Sequence, residues 1–184
     1  MKKLADAQEV GKLVSELAGK VSGRLLGNGG KASDWALVGI RNRGDKLAER
    51  LAKAIGEEKF ADRVGVLDIT LYRDDLSEVA AQPIVQTTEI PFSVDGKDVV
   101  LVDDVLMTGR SVRAALASLM DFGRPKRVWL AVLVDRGGRE LPIRADFVGL
   151  DLSKGAVGLE DGDHVQVLLD EVDEVDAIEV REAN

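Results

Sequence analysis

"VVLVDDVLMTGRS" (Val99–Ser111) joins a solid run of Val and Leu to two adjacent aspartates and a short polar loop. An amphipathic helix follows, marked by Val112, Ala115, Leu116, Leu119 and Met120. An apolar run of this length reads as a strand buried on both faces, the pattern of a parallel sheet covered by helices. In such sheets ligands bind at the carboxyl ends of the strands. The loop Thr108-Gly109-Arg110-Ser111 therefore lies where an anion can meet the free N–H groups and positive dipole end of a helix. Capping of that helix by Thr108 is the plain alternative. Asp103 and Asp104 are costly if buried without partners, so they call for a metal ion or for hydroxyl donors. A ribose diol offers two such donors side by side. With the diol on the carboxylates and a 5′-phosphate on the helix end, one continuous ligand accounts for both halves of the motif.

The flanking sequence repeats the strand–helix alternation. Val10, Leu13, Val14, Leu17, Val21 and Leu25 have helical spacing, and "GNGG" ends that helix. "WALVGI" (Trp35–Ile40) is a buried strand, and the helix after it carries Leu47, Leu51 and Ile55 on one side. "VGVLDITLY" (Val64–Tyr72) is expected as the next strand. "RDDLSEVAAQPIVQ" (Arg73–Gln86) has no period, and a long irregular segment in a compact domain is usually functional. "TTEIPFSVDGKD" predicts an extended arm and an Asp95-Gly96 turn leading into the central strand. "RVWLAVLV" is a further buried strand, "ADFVGLDL" and "HVQVLLDEV" are later ones, and the acidic tail reads as a closing strand. The expected architecture is α/β: a mainly parallel twisted sheet with flanking helices, in a single domain spanning residues 1–184. Three loops then share one edge: Arg41–Gly44, Asp103–Ser111, and the segment from Asp135.

Composition narrows the function. The 184 residues carry 45% hydrophobic and 32% charged residues, the balance of a folded domain with a real core. There is no cysteine, so disulfides and thiol chemistry are excluded. The start "MKKLADAQEV" lacks a signal-peptide core, and no apolar run is long enough for a bilayer, so a cytoplasmic protein with no membrane partner is expected. A net charge of -8 opposes non-specific nucleic-acid binding through the whole surface, and 4% aromatics leaves little for a base-stacking platform. G-x-x-x-x-G-K-[ST] is absent and no strand-linked G-x-G-x-x-G occurs, so neither an ATP P-loop nor a dinucleotide fold is indicated. A receiver domain also places an acidic pair after a strand, but near its N-terminus.

"VVLVDDVLMTGRS" resembles the phosphoribosyl pyrophosphate (PRPP) signature of type I phosphoribosyltransferases. With "VGIRNRGDKLAERLA", "LDITLYRDDLS", "TEIPF", "DFGRP" and "LAVLVDRGGRELPIRADFVG", it resembles the bifunctional pyrimidine operon regulator / uracil phosphoribosyltransferase family over about residues 38–149. The resemblance implies the reaction uracil + PRPP → UMP + pyrophosphate with Mg²⁺, held mainly by PRPP with no direct protein site. It also implies a homo-oligomer, and in some members UMP-dependent binding of pyrimidine-operon leader RNA. It implies a small hood, formed by parts of the N-terminal segment and residues after about 135, and a mobile lid at about 73–88.

By the same resemblance Asp103 and Asp104 hold the ribose hydroxyls. Val105, Leu106, Met107, Thr108, Gly109, Arg110 and Ser111 cradle the 5′-phosphate. Ile40, Arg41, Asn42, Arg43 and Gly44 form the pyrophosphate loop, and Arg73 reaches the pyrophosphate from the lid. Asp135, Phe147 and Val148 lie at the nucleobase, while Arg139 and Arg144 belong to an RNA face. Some positions depart from the family pattern. Met107 replaces an aromatic ring, Gly138 replaces a histidine, and Leu150 stands where a basic residue is usual. The last two changes remove cationic or imidazole groups from the implied RNA face. Three readings stay open: the uracil enzyme, a UMP- or PRPP-sensing RNA-binding regulator with little catalysis, and a transferase for another base.

Trp35 and Trp129 read as core contacts, and the lone His164 as structural. Asp74 and Asp75 read as solvated lid charges.

Overall fold

A computed structural model describes residues 2–56, 58, 60, 62–74, 87–155, 159–160 and 162–182. The chain opens with a short strand, β1 (Lys2–Ala5), and helix α1 (Ala7–Leu26). A capping box starts α1. The Asp6 carboxylate accepts from Glu9 N at 3.0 Å, and Asp6 N donates to the Glu9 carboxylate at 2.9 Å. The helix then buries Val10, Val14, Leu17, Val21 and Leu25, five of the six apolar positions whose spacing predicts it.

β2 (Trp35–Ile40), α2 (Gly44–Gly56) and β3 (Val64–Leu67) form one parallel crossover. β4 (Asp98–Leu106), α3 (Arg110–Met120) and β5 (Arg127–Asp135) form a second, and β6 (Phe147–Asp151) completes the sheet. The five strands are parallel, in the order β3-β2-β4-β5-β6. β4 is central and alternates strictly. Val100 and Val102 join the core beneath α1 and α2 with Leu17, Leu47 and Leu51. Val99 and Leu101 join the core beneath α3 with Val112, Ala115 and Leu119. Both faces are covered, which is why the strands read as unbroken apolar runs. Trp35 and Trp129 stack at 5.9 Å in the first core, as expected of core tryptophans.

The structure corrects two boundaries. β3 ends at Leu67 rather than continuing to Tyr72. Asp68 turns the chain there: its carboxylate accepts from Thr70 N at 2.9 Å and from the Thr70 hydroxyl at 2.6 Å, and a 3-10 turn follows over Thr70–Tyr72. β4 does not stop at the aspartates. It runs on to Leu106, with Asp103 beside Val132 and Leu106 beside Asp135 of β5.

The C-terminal stretch is no extension of the parallel sheet. β7 (His164–Leu168), a one-turn helix α4 (Asp170–Asp173) and β8 (Ala177–Arg181) fold with β1 into a separate antiparallel sheet, in the order β1-β8-β7. The expected lid lies mostly outside the described residues, with Arg73, Asp74, Thr87 and Thr88 inside them. No helix among the described residues is long and apolar enough to cross a membrane.

Candidate active site

The carboxyl ends of β3, β2 and β4 are neighbours, and the chain leaving each of them bounds one cleft of about 290 Å³. Ile40, Arg41, Asn42 and Arg43 line it from β2, and Asp103, Asp104 and Val105 from β4. Ser111 enters from the first turn of α3, and Arg73 from beyond β3. Residues read separately from two motifs and the lid thus meet around one polar space. Asp68, Ile69 and Thr70 also line it and were missed, because a strand was expected through them. The Asp-x-Thr spacing just past an apolar run was the signal for a turn.

The two aspartates are held by their own strand. Asp104 N donates to the Asp103 carboxylate at 3.0 Å, and Val105 N donates to the Asp104 carboxylate at 2.8 Å. Neither forms an ion pair among the described residues. Burial pushes the Asp103 carboxyl well above the usual carboxylate range, and the neighbouring Asp104 charge adds to that. Burial also raises Asp104, while Arg43 and the Val105 N–H pull the other way. Such a pair is poised to accept hydroxyl protons or to meet a cation that arrives with a ligand. Among the described residues no cluster of three or more acidic, imidazole or thiol groups is assembled. A hard cation bound here would therefore draw most of its oxygens from its ligand.

The loop after β4 turns through Gly109, which has φ +90° and caps α3. A Cβ there would sit 3.2 Å from the Ile143 side chain, so the position needs glycine for conformation and for space. The Thr108 hydroxyl accepts from Arg110 N at 3.3 Å, which gives Thr108 a capping part as well. Segment 139–143 backs this loop. Glu140 N and Leu141 N both donate to the Thr108 carbonyl, at 3.0 and 3.1 Å. Arg139 reaches the Met107 carbonyl at 2.8 Å, the Ile143 carbonyl at 2.9 Å and the Asp135 carboxylate at 2.5 Å. Its guanidinium is engaged inside the fold, whereas Arg144, grouped with it by resemblance, is exposed. Arg110 points outward to Asp74 at 2.7 Å and Glu140 at 2.6 Å, and Leu106 is core.

The loop after β2 is more tightly wedged. Gly44 opens α2 against β4, and a Cβ on it would lie 2.6 Å from the Val102 carbonyl. The Arg41–Asn42 peptide is cis, and Arg43 has φ +61°. Arg43 is bound through two hydrogen bonds to Asp173 of α4, at 2.9 and 2.7 Å. Arg41 approaches Glu89 at 3.8 Å.

The nucleobase residues need correction. Phe147 pairs with Ala131 at the amino end of β6, while Asp151 is the residue level with Asp135 at the carboxyl edge. The Phe147 ring lies 6.2 Å from Trp129 within the core beneath α1 and α2. Val148 packs in the opposite core, and its carbonyl accepts from Lys20 at 2.7 Å. Strand register removes both from the rim. Asp135 is at the edge, tied to Arg139 and to Gly137 N.

Comparison with known proteins shows the family of the chain. A phosphoribosyl transferase domain family model matches residues 1–165. A protein of Deinococcus deserti named "Bifunctional protein PyrR" is 51% identical over 175 residues, covering 95% of this chain and 91% of that one. Its namesake from Roseiflexus sp. is 55% identical over 149 residues, covering 80% and 79%. Among solved structures, the hypoxanthine phosphoribosyltransferase of Trypanosoma cruzi superposes with a TM-score of 0.69, covering 100% of this chain and 98% of that one. At 19% identity that likeness is one of fold alone. The chain thus belongs to the phosphoribosyltransferase family, within its bifunctional PyrR group.

Proposed function

We propose that the chain transfers the phosphoribosyl group of PRPP to uracil, giving UMP and pyrophosphate. The supporting observation is the Asp103–Asp104 pair, buried at Asp103 and half-buried at Asp104 and without an ion pair among the described residues, set between a glycine-capped helix end and a second wedged loop. One ligand with a diol, a 5′-phosphate and a second anionic group fits all three features. The choice of uracil rests on the sequence resemblance and on the PyrR relatives.

In this reading Asp103 and Asp104 accept the two ribose hydroxyls. The 5′-phosphate lies on the Thr108–Ser111 turn, where backbone N–H groups and two hydroxyls donate to it. The pyrophosphate faces Arg41, Asn42 and the loop backbone, and Arg73 joins it. Asp135 marks the nucleobase side. Displacement at the anomeric carbon passes through an oxocarbenium-like state, with positive charge on the ribose and negative charge on the leaving group. The aspartates lie on the positive side of that separation and the arginines on the negative side, so both ends gain stabilisation as charge separates. Pinning phosphate, diol and base supplies alignment, so no covalent enzyme intermediate is needed. Mg²⁺ bound with PRPP would neutralise pyrophosphate charge, and Asp68, Asp103 and Asp104 are the carboxylates of the cleft lining that could meet it. Residues 73–88 act as the lid that excludes water, and the antiparallel sheet of β1, β7 and β8 serves as the hood of a single domain.

A panel of uracil, hypoxanthine, guanine and orotate with labelled PRPP and Mg²⁺ tests this. UMP is the expected product, and turnover of a purine without turnover of uracil would overturn the base assignment.

A further inference from the structure

Arg43 is where the cleft meets the far end of the chain. Its backbone has the left-handed φ of +61°, a conformation that is costly for a non-glycine residue. Such a residue persists when its surroundings over-determine it. Three constraints act on the backbone. Leu47 N donates to the Arg43 carbonyl at 2.8 Å, which makes Arg43 the first acceptor of α2. Gly44 N folds back on the Asn42 carbonyl at 2.6 Å, and Gly44 itself is wedged against β4. On the Arg43 side chain the Asp173 bridge supplies the hydrogen bonds found among the described residues, with the Asp104 charge nearby.

Asp173 is itself anchored. Its Oδ2 also accepts from Leu169 N at 2.9 Å. The short helix that carries it is fastened to α2 by Arg50, which reaches Glu171 at 2.6 Å and Asp176 at 2.8 Å. The Arg43 and Asp173 side chains are 25% and 15% exposed, so solvent screens their pairing less than that of a surface bridge. A planar guanidinium held at two points has a fixed direction, unlike a single flexible contact.

We propose that Asp173 is a positioning residue for the pyrophosphate loop. By gripping Arg43 it fixes the turn at the start of α2 and aims the Arg41–Gly44 backbone at the leaving group. This inference rests on the proposed reaction. It also gives the C-terminal antiparallel sheet a share in the chemistry, because the bridge spans 130 residues of sequence.

The consequence is selective. PRPP and pyrophosphate use this loop, whereas UMP needs only the diol carboxylates, the phosphate turn and the base side. Calorimetric binding of PRPP, pyrophosphate and UMP, each with Mg²⁺, is to be compared in the full chain and in Asp173→Asn, Asp173→Glu and Glu171→Gln. Asp173→Asn is expected to weaken PRPP and pyrophosphate about tenfold and leave UMP within twofold. Asp173→Glu, which keeps the charge, should recover part of the loss. Glu171→Gln, which loosens the anchor of the same segment without touching Arg43, should weaken PRPP and pyrophosphate by less than Asp173→Asn and leave UMP within twofold.

Unchanged PRPP and pyrophosphate binding in Asp173→Asn overturns the proposal. So does an equal loss of UMP, which marks general loosening, or tighter pyrophosphate binding, which would mean that Asp173 withholds Arg43 from the ligand. Should Asp173→Asn fail to fold, Asp173→Glu carries the same comparison. A wild-type chain that binds neither PRPP nor UMP refutes the proposed reaction instead.

Discussion

The turn between β4 and α3 and the turn between β2 and α2 both bring the start of a helix to one cleft, but they are held by different means. The first is local in its conformation. Gly109 supplies the left-handed backbone, the Thr108 hydroxyl helps cap α3, and the neighbouring 139–143 segment backs it through main-chain bonds. The second uses an arginine where glycine would be the easier residue, and its side chain is gripped by a carboxylate 130 residues away. A turn built on glycine carries its geometry in its own sequence. A turn built on Arg43 acquires it from the completed fold. In a phosphoribosyltransferase the first suits an anchor that keeps its shape throughout. The second ties the proposed pyrophosphate loop to the C-terminal segment.

The aspartates between the two turns give the largest expected effect. Asp104→Asn removes a carboxylate from the proposed ribose side of the charge separation while preserving shape. Loss of a preorganised electrostatic group of this kind costs about 100- to 1,000-fold in turnover. A steady-state assay should read at least a hundredfold drop in kcat with an unchanged circular dichroism spectrum. Near wild-type turnover would break the assignment of these residues to the ribose.

Gly109→Ala tests whether the anchor turn is as local as described. The added Cβ meets Ile143 at 3.2 Å and forces a non-glycine residue to φ +90°. A stability loss of about 1–2 kcal/mol is expected in denaturant melts. KM for PRPP should rise about tenfold through the displaced phosphate N–H groups. A variant with normal stability and normal KM would show that this turn tolerates a different backbone.

The same contrast explains what could be read in advance. The family motif was legible because its residues are consecutive, and the buried run of β4 was legible because both sheet faces are covered. Asp173 carried no such signal. It reads as one more charge in an acidic tail, and only the pairing of β7 with β8 brings its helix to Arg43. Asp68 and Thr70 were hidden for another reason: Leu67, Ile69 and Leu71 alternate as a strand would, and a side chain capping its own backbone overrides that pattern. Phe147 was placed at the base by resemblance alone, and strand register sets it at the amino end of β6, away from the carboxyl edge. The four-residue β1 is too short to show a period.

The smallest effect distinguishes the regions by sign. Burial raises the Asp103 carboxyl, whereas the Arg43 guanidinium lowers that of Asp173. A raised carboxylate disfavours the native state once it ionises, so its cost is complete above its folded pKa and fades as the pH falls to the ordinary range near 4. A lowered carboxylate contributes stability that is complete above the ordinary value and is lost as the pH falls through its folded pKa. At neutral pH, Asp103→Asn should therefore raise the melting temperature of the ligand-free chain and Asp173→Asn should lower it. Each shift corresponds to about 1 kcal/mol, the usual scale for removing a strained or a favourable polar contact. Melts from pH 8 down to 3.5 should show the Asp103→Asn gain shrinking as acid neutralises the wild-type carboxyl. The Asp173→Asn deficit should persist until the pH passes below the ordinary carboxylate value. If both variants moved the same way at neutral pH, the account of one region as electrostatically strained and the other as electrostatically fastened would fail.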